Sequence, residues 1–397
     1  MNAYQEALAI KDEIIANRKH IHQNPELGLE LYQTAAYVEE KLREMGYDPH
    51  RVGDCGITAT VGKPGGRCFL IRADMDALPV TEETGLEFAC TTGRMHACGH
   101  DCHTANLLGA AKILKAHEHE LNGLVKLMFQ PAEETMEGGK MMLEQGITEN
   151  PHVDAAMGMH VFTAMPMKPG TIIMTGAASK FAAVDWFTIR VSGRSCHGAQ
   201  PHQGVDPLNV MCHIHLALQT INSREMDPSD NIVLTVGQMH GGSTSNVIPT
   251  EAMMSGTLRT VKNETRAAIK ERMEQITSAV AAGFGAEAHV EFGAGCPVLF
   301  QNQEMYAEVK QYMKELDGVD WVDLDDRNQC MMNMGSEDFA YMANAVPSVF
   351  LVVAAGQPEQ GYCYPQHHPK ADFHEDALTA GAAAYAHIAM EWLKHHG

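Results

Sequence analysis

An α/β architecture, with a large mixed sheet flanked by helices and interrupted by a smaller ferredoxin-like α+β domain, follows from three features of the sequence. Short apolar runs alternate with helical patterns up to residue 181, the pattern changes character over residues 182–293, and helical and strand segments then resume. A chain of 397 residues also exceeds one core, since single cores stop growing near ~250–300 residues. The expected division is 1–181 and 294–397 for the large domain and 182–293 for the insert.

The chain opens with an amphipathic helical pattern, MNAYQEALAIKDEIIANRKHIHQ, whose acidic residues and lack of an apolar segment distinguish it from a secretory leader. Residues 32–45 form a second helical pattern that stops at Gly46. Two apolar runs follow at 57–61 and 68–73, separated by the turn signal KPGG. Residues 104–116 read as a helix, 124–129 as a buried strand, 139–144 as a short helix, and 155–159 as another apolar stretch. In the insert, 184–191 alternates like a half-exposed strand and 207–221 is a long helix. Strands at 231–239 and 250–259, a helix at 265–280 and a strand at 288–292 complete βαββαβ, the split-βαβ arrangement. A helix at 377–394 closes the chain.

Composition excludes several classes. With 29 Lys+Arg against 50 Asp+Glu the formal charge is −21, which repels nucleic acid and anionic membrane surfaces. A hydrophobic share of 45% excludes compositional disorder. No run approaches the ~18–20 apolar residues of a bilayer span. The ten cysteines, in a long chain without a leader pattern, are expected as reduced thiols, and the location as cytoplasmic.

The chemistry concentrates in four places. His96-Ala97-Cys98-Gly99-His100-Asp101-Cys102-His103 precedes a helical pattern. A thiolate and an imidazole two apart around a glycine can both reach one borderline divalent ion. The second Cys/His pair of a structural zinc finger is missing, and a polar helix cap is the competing explanation. Gln130-Pro131-Ala132-Glu133-Glu134 follows a buried strand, so it lies where α/β sheets place active sites. Adjacent residues point differently, so one glutamate can bind metal while its neighbour activates water. Alone, such a pair is more often a solvated turn. His160, closing an apolar stretch, and His367-His368-Pro369 complete a ligand complement for one or two metals.

The motifs DMDALP (74–79), HACGHDCHTA (96–105), QPAEE (130–134), GMHV (158–161), GRSCHGAQPHQGVDP (193–207), NVIP (246–249), GSEDF (335–339) and the HxP of 367–369 occur in that order. Together they resemble the aminoacylase/carboxypeptidase metallohydrolase family, in its subgroup of hippurate hydrolases, N-acyl-amino-acid amidohydrolases and auxin-conjugate amidohydrolases. The resemblance covers essentially the whole chain.

It implies a binuclear site with two divalent metal ions per chain, Zn, Mn, Co or Ni. Cys98, His100, Glu134, His160 and His367 fall on ligand positions, Glu133 on the general base, and His368 on a neighbour rather than a ligand. Peptidase relatives carry a ligand histidine where this chain has Asp74; Asp74, Asp76, Asp101 and His103 are then expected to orient ligands. The insert matches the family's lid, with His197 polarising the scissile carbonyl and Asn246 and Arg259 near the substrate's carboxylate. The implied reaction is hydrolysis of a small N-acyl amino acid to a carboxylic acid and a free amino acid. A dipeptidase or an N-acetyl-diaminopimelate deacetylase fits the same motifs, and a cysteine-nucleophile hydrolase using Cys98 or Cys102 is the competing class. Unpaired edge strands in the lid predict a homodimer, or a higher oligomer built on it, and the resemblance implies that His197 then acts in the neighbouring subunit.

Overall fold

The structure, a computed structural model, describes residues 2–178 and 180–397 and divides into two compact units. One takes the chain before Lys180 with Phe300–Met332 and Asp338–Gly397; the other takes Lys180–Leu299 and Asn333–Glu337.

The first unit is built on a mixed sheet of eight strands among the described residues. Their order is His50–Val52, Gly56–Gly62, Leu124–Gln130, Cys68–Asp74, Ala155–Phe162, Ser348–Ala354, Ile172–Met174 and Trp321–Asp323. The four central strands run parallel. Their sequences, among them CFLIRAD and SVFLVVA, are apolar along nearly the whole length, as strands covered on both faces must be. Alternation sends Phe69, Ile71 and Ala73 into the core with helices His100–Ala116 and Asp376–His396, which leaves Leu70 and Arg72 for the other face. The parallel register sets Asp74 beside Gln130, Arg72 beside Gly158 and His160 beside Val352. Neighbouring strands therefore end at one level.

The second unit contains four antiparallel strands, in the order Ile232–Gly241, Glu251–Thr260, Ala183–Ser192 and Glu287–Cys296. With helices Pro207–Thr220 and Asn263–Gly283 this is the βαββαβ succession, its first and third strands paired at the centre. Asp206 starts the first of these helices by accepting from Leu208 N at 2.9 Å, with Pro207 at the first helical position. Phe187, Ile189 and Val191 pack with Met211, Ile214 and Met273 from the two helices.

The structure departs from the sequence reading in three places. The opening pattern is two helices, Ala3–Ala9 and Lys11–Gln23, broken at Ile10 (φ −112°, ψ 15°). The helix expected from residue 104 begins at His100, because Gly99 caps it at φ 91°. A Cβ at Gly99 would lie 2.5 Å from Val161 Cγ2, so both the conformation and the space require glycine. Segment Asn333–Glu337 belongs to the second unit: Arg259 Nη1 donates to Met334 O at 2.8 Å, and Ala182 N to Gly335 O at 3.0 Å. All ten cysteines are free, and no helix among the described residues is long and apolar enough to cross a membrane.

Helix Lys11–Gln23 is fastened by two buried cations. Arg18 Nε donates to Asp101 Oδ2 at 3.1 Å and Arg18 Nη1 to Phe373 O at 3.0 Å. His22 lies 2.8 Å from Asp101 Oδ2 through Nδ1 and 3.1 Å from Glu82 Oε1 through Nε2. Burial opposes charge on His22, but Asp101 and Glu82 outweigh it and raise its pKa to about 9. A pKa raised on folding stabilises fully below the unfolded value and is lost as pH rises through the folded one. The rise from 6.5 to about 9 corresponds to roughly 3 kcal/mol at most. Urea unfolding should therefore show stability falling between about pH 7 and about pH 9.5. His22→Gln should be less stable at neutral pH and lose much of that slope; an unchanged slope would detach the effect from His22.

Candidate metal centre

Six candidate residues of the first unit come from four places past strand ends. Cys98 and His100 flank the Gly99 cap, Glu133 and Glu134 lie in the turn after Leu124–Gln130, His160 is near the end of its strand, and His367 sits in the loop before the last helix. Three non-glycine residues in these segments adopt positive φ: Ala132 (56°), Met136 (57°) and His367 (67°). Such backbone costs free energy and persists where surroundings hold it. For His367 the holding contact is its N–H to Ala97 O at 2.9 Å.

The donor atoms converge. Cys98, His100 and His160 each bring a ligand atom within 4.8 Å of the others, and so do Cys98, Glu134 and His367. Cys98 belongs to both groups. Cys98 Sγ lies 3.3 Å from His160 Nε2, and His367 Nε2 lies 3.4 Å from Glu134 Oε1. His100 Nδ1 lies 2.8 Å from Asp76 O, so the proton sits on Nδ1 and the Nε2 lone pair faces the cluster. That Nε2 is buried without a hydrogen-bond partner among the described residues. His160 Nδ1 likewise faces Val161 O at 2.7 Å, leaving Nε2 toward Cys98.

The electrostatics demand a cation. Burial disfavours charge on His100, yet Asp74, Asp76 and Glu134 outweigh it and raise its pKa to about 10. Burial, then Glu134 and Glu133, push the Cys98 thiol well above its ordinary value, a shift that a bound divalent ion reverses. Burial keeps His160 neutral, as a ligand imidazole must be. A soft thiolate, three imidazoles and a carboxylate, with orphaned buried nitrogen aimed inward, fit divalent transition metals.

Glu133 and Glu134 do not point apart as adjacent residues were expected to. The left-handed backbone at Ala132 turns both inward, and Glu133 Oε2 and Glu134 Oε1 each stand 3.9 Å from His100 Nε2. Both group with His100, but Glu134 also groups with Cys98 and His367, which Glu133 does not.

The surrounding residues divide by contact. Asp76 touches His100 through Nδ1 and accepts from Glu134 N at 3.0 Å, tying two candidate ligands together. His103 has both ring nitrogens engaged, Nδ1 with Asp74 Oδ1 at 2.5 Å and Nε2 with Val161 N at 2.8 Å. Asp101, expected to orient a ligand, instead accepts from Arg18 and His22; it anchors the helix that carries His100 rather than the ring itself. His368 is half-buried and stacks on Tyr364 with centroids 4.4 Å apart. Arg72, Gln130 and Asp338, to which the sequence reading assigned no role, form a buried network behind Asp74. The signals were an arginine inside an otherwise apolar strand and the places of Gln130 and Asp338 in the QPAEE and GSEDF motifs.

His197, Asn246 and Arg259 lie in the second unit. His197 pairs with Val247 in a two-residue ladder, and Gly198 N donates to Asn246 O at 2.8 Å, so His197 and Asn246 are neighbours. Ala199 N donates to His197 Nδ1 at 3.0 Å, which places the proton of a neutral ring on the exposed Nε2. Arg259 is elsewhere, with Nη1 donating to Met334 O and, at 3.2 Å, to Ser336 Oγ.

The chain is similar to known proteins along nearly its whole length. The description Peptidase family M20/M25/M40 matches residues 70–391. N-acetyl-L-cysteine deacetylase of Bacillus subtilis (strain 168) is 37% identical over 347 residues, 86% of this chain and 80% of that protein. IAA-amino acid hydrolase ILR1-like 2 of Arabidopsis thaliana is 35% identical over 389 residues, 96% of this chain and 86% of that protein. The crystal structure of Bacillus subtilis YXEP protein, a dinuclear metal binding peptidase from the M20 family, is 31% identical with a TM-score of 0.78, covering 97% of this chain and 99% of that one. These matches set aside the cysteine-nucleophile alternative in favour of a metal-dependent amidohydrolase, and the chain belongs to peptidase family M20/M25/M40.

Proposed function

We propose that the chain hydrolyses the amide bond of N-acyl amino acids at a pair of divalent ions. The observation that carries this reading is the pair of neighbouring donor groups, Cys98–His100–His160 and Cys98–Glu134–His367, each able to hold one divalent ion. Bound there, Zn, Mn, Co or Ni would supply Lewis acidity to the amide carbonyl and make water acidic enough to deprotonate near neutral pH. Cys98, His100 and His160 would hold one ion, and Cys98, Glu134 and His367 the other. Glu133, in neither ligand group, takes the proton from water and returns it to the leaving amine. Two relatives support the substrate class by name, a deacetylase of N-acetyl-L-cysteine and a hydrolase of IAA-amino acid.

A panel of acetyl, benzoyl and indoleacetyl amino acids and dipeptides, assayed after loading with each metal, tests the reading. N-acyl amino acids should turn over fastest, and turnover should vanish in chelator. Faster cleavage of dipeptides would overturn the substrate class. Glu133→Gln should lower kcat by about 10²–10⁴ with metal content retained, because the amide keeps the shape but cannot accept a proton. Glu134→Gln should instead lose metal; the reverse pair of phenotypes would exchange their roles.

Arg259 suits the substrate's α-carboxylate, since its planar fork binds carboxylates bidentately. Arg259→Ala should raise KM at least tenfold for substrates with a free carboxylate, the loss of about 1.5–3 kcal/mol. The matching carboxamides should change far less. Equal losses would assign Arg259 only to tethering Met334.

His197 is proposed to serve the partner's site in a homodimer. Within the second unit His197 lies past Ser192, which pairs with Glu251, whereas Arg259 pairs with Val184. Glu251 and Arg259 are eight residues apart on one strand, about 26 Å at ~3.3 Å per residue. That separation supports different sites for the His197 and Arg259 of one copy. Co-expressing Glu133→Gln with His197→Ala should restore activity, since one site of the mixed dimer then has both groups intact. Verified mixed dimers without recovery would confine His197 to its own subunit or remove it from catalysis.

A further inference from the structure

A buried polar chain lies behind the candidate ligands, and the proposed chemistry makes no use of it. Asp338 Oδ1 accepts from Arg72 Nη2 at 3.0 Å and from Gln130 Nε2 at 2.6 Å, while its Oδ2 accepts from Gly139 N at 2.7 Å. Arg72 Nε donates to Gln130 Oε1 at 3.0 Å and its Nη1 to Asp74 Oδ2 at 2.8 Å. Asp74 in turn receives the Nδ1 proton of His103, whose Nε2 accepts from Val161 N. The chain ends at the Val161 carbonyl. It accepts from His160 Nδ1 at 2.7 Å and from Gln366 Nε2 at 2.9 Å, and Gln366 directly precedes His367.

Asp74, Arg72, Gln130 and Asp338 are each 0% exposed. Burying two carboxylates and a guanidinium is a poor source of stability, because desolvation offsets most of the attraction. What such a network supplies is direction. Arg72 spends its three donor groups on three different acceptors, so neither a lysine nor an apolar residue of similar size can replace it. His103 is locked in one tautomer by a donor on one side and an acceptor on the other. Val161 is gripped at both its N–H and its C=O, and the same carbonyl orients one candidate ligand ring and the residue before another.

The geometry points to Asp338, Arg72 and Gln130 as positioning residues for the metal ligands, acting through Asp74, His103 and the Val161 backbone on His160 and His367. This rests on the reading that His160 and His367 are ligands. Groups that orient ligands typically contribute 10–100-fold to metal affinity without touching the ion.

Co(II) is the probe, because its thiolate charge-transfer absorption reports on Cys98 directly and chelator competition gives an affinity independent of turnover. Asp338→Asn keeps the shape but places an amide against two donors. It should bind Co(II) about 10–100-fold more weakly than the parent. His103→Leu, which breaks the chain further along, should lose a similar amount, while His103→Gln, able to donate to Asp74 and accept from Val161 N, should recover most of it. Tyr306→Phe disturbs a separate buried network, in which Tyr306 donates to Asp323 and accepts from Gly176 N, and should leave the affinity within about twofold. Folded Asp338→Asn and His103→Leu variants with parental affinity and spectrum would overturn the inference. So would an equal loss in Tyr306→Phe, or no rescue by His103→Gln. If Asp338→Asn does not fold, the His103 pair decides. A parent that binds no Co(II), or binds it equally well as Cys98→Ser, would instead bring down the metal reading itself.

Discussion

Four parallel strands end at one level in the first unit, and the polar side chains beyond their ends have little choice but to face one another. Asp74, the Gln130–Glu134 turn and His160 each follow an apolar run that must stay buried on both faces, so none can shift along its strand without dragging core residues out of register. Helix His100–Ala116, buried through most of its length, brings its first turn to the same level. Convergence of candidate ligands from segments far apart in sequence is thus a consequence of core packing. The site requires little local rigidity of its own, except at the left-handed residues Gly99, Ala132 and His367.

That convergence concentrates negative charge. Asp74, Asp76, Glu133 and Glu134 crowd one imidazole, and the rise in the pKa of His100 records the field they make. The field is not compensated evenly. Arg72 neutralises Asp74 from behind and His103 donates to it; burial pushes the Asp74 carboxyl up, but Arg72 and the neighbouring imidazoles outweigh it and hold it well below the usual range. Glu133 and Glu134 both face His100 at 3.9 Å and Glu134 also faces His367 at 3.4 Å, so two carboxylates lie together where positive charge in front of them would be stabilised. A divalent ion answers that demand where a lysine would not, because it also takes the thiol proton from Cys98 and leaves the neighbouring imidazoles neutral.

Much of this could be read from residue types. Alternation and apolar run length placed eight strands within four residues of their observed ends but left the central strand Ser348–Ala354 undelimited, and eight ordered motifs identified the family and the candidate ligands. What stayed hidden depends on contacts made far along the chain. Nothing local says that Gly99 rather than Thr104 opens a helix, because the reason is Val161 packed against Gly99. Asp101 stands amid candidate ligands in sequence, yet one residue along a helix is a rotation of about 100°, which aims it at Arg18 and His22 instead. The return of Asn333–Glu337 to the second unit rests on a hydrogen bond from Arg259, 75 residues earlier. Periodicity cannot carry such information.

The departure at position 74 has a physical reading once these contacts are known. In the resemblance drawn from the motifs, peptidase relatives place a ligand histidine there, whereas this chain has an aspartate. A carboxylate at a strand end facing two metals would ordinarily join them. Here Asp74 has Arg72 on one oxygen and the His103 proton on the other, so both of its oxygens are already engaged within the protein. The imidazole that relatives supply from the strand must then come from another element, and His100 Nε2, 3.5 Å from Asp74 Oδ2, is the nitrogen nearest that place. Exchanging a ligand on the strand for one on the helix makes the Gly99 turn part of the site. Arg72 and His103 already occupy the Asp74 oxygens, whereas His100 Nε2 has no hydrogen-bond partner among the described residues, and that contrast favours the imidazole over the carboxylate as the donor offered to an ion.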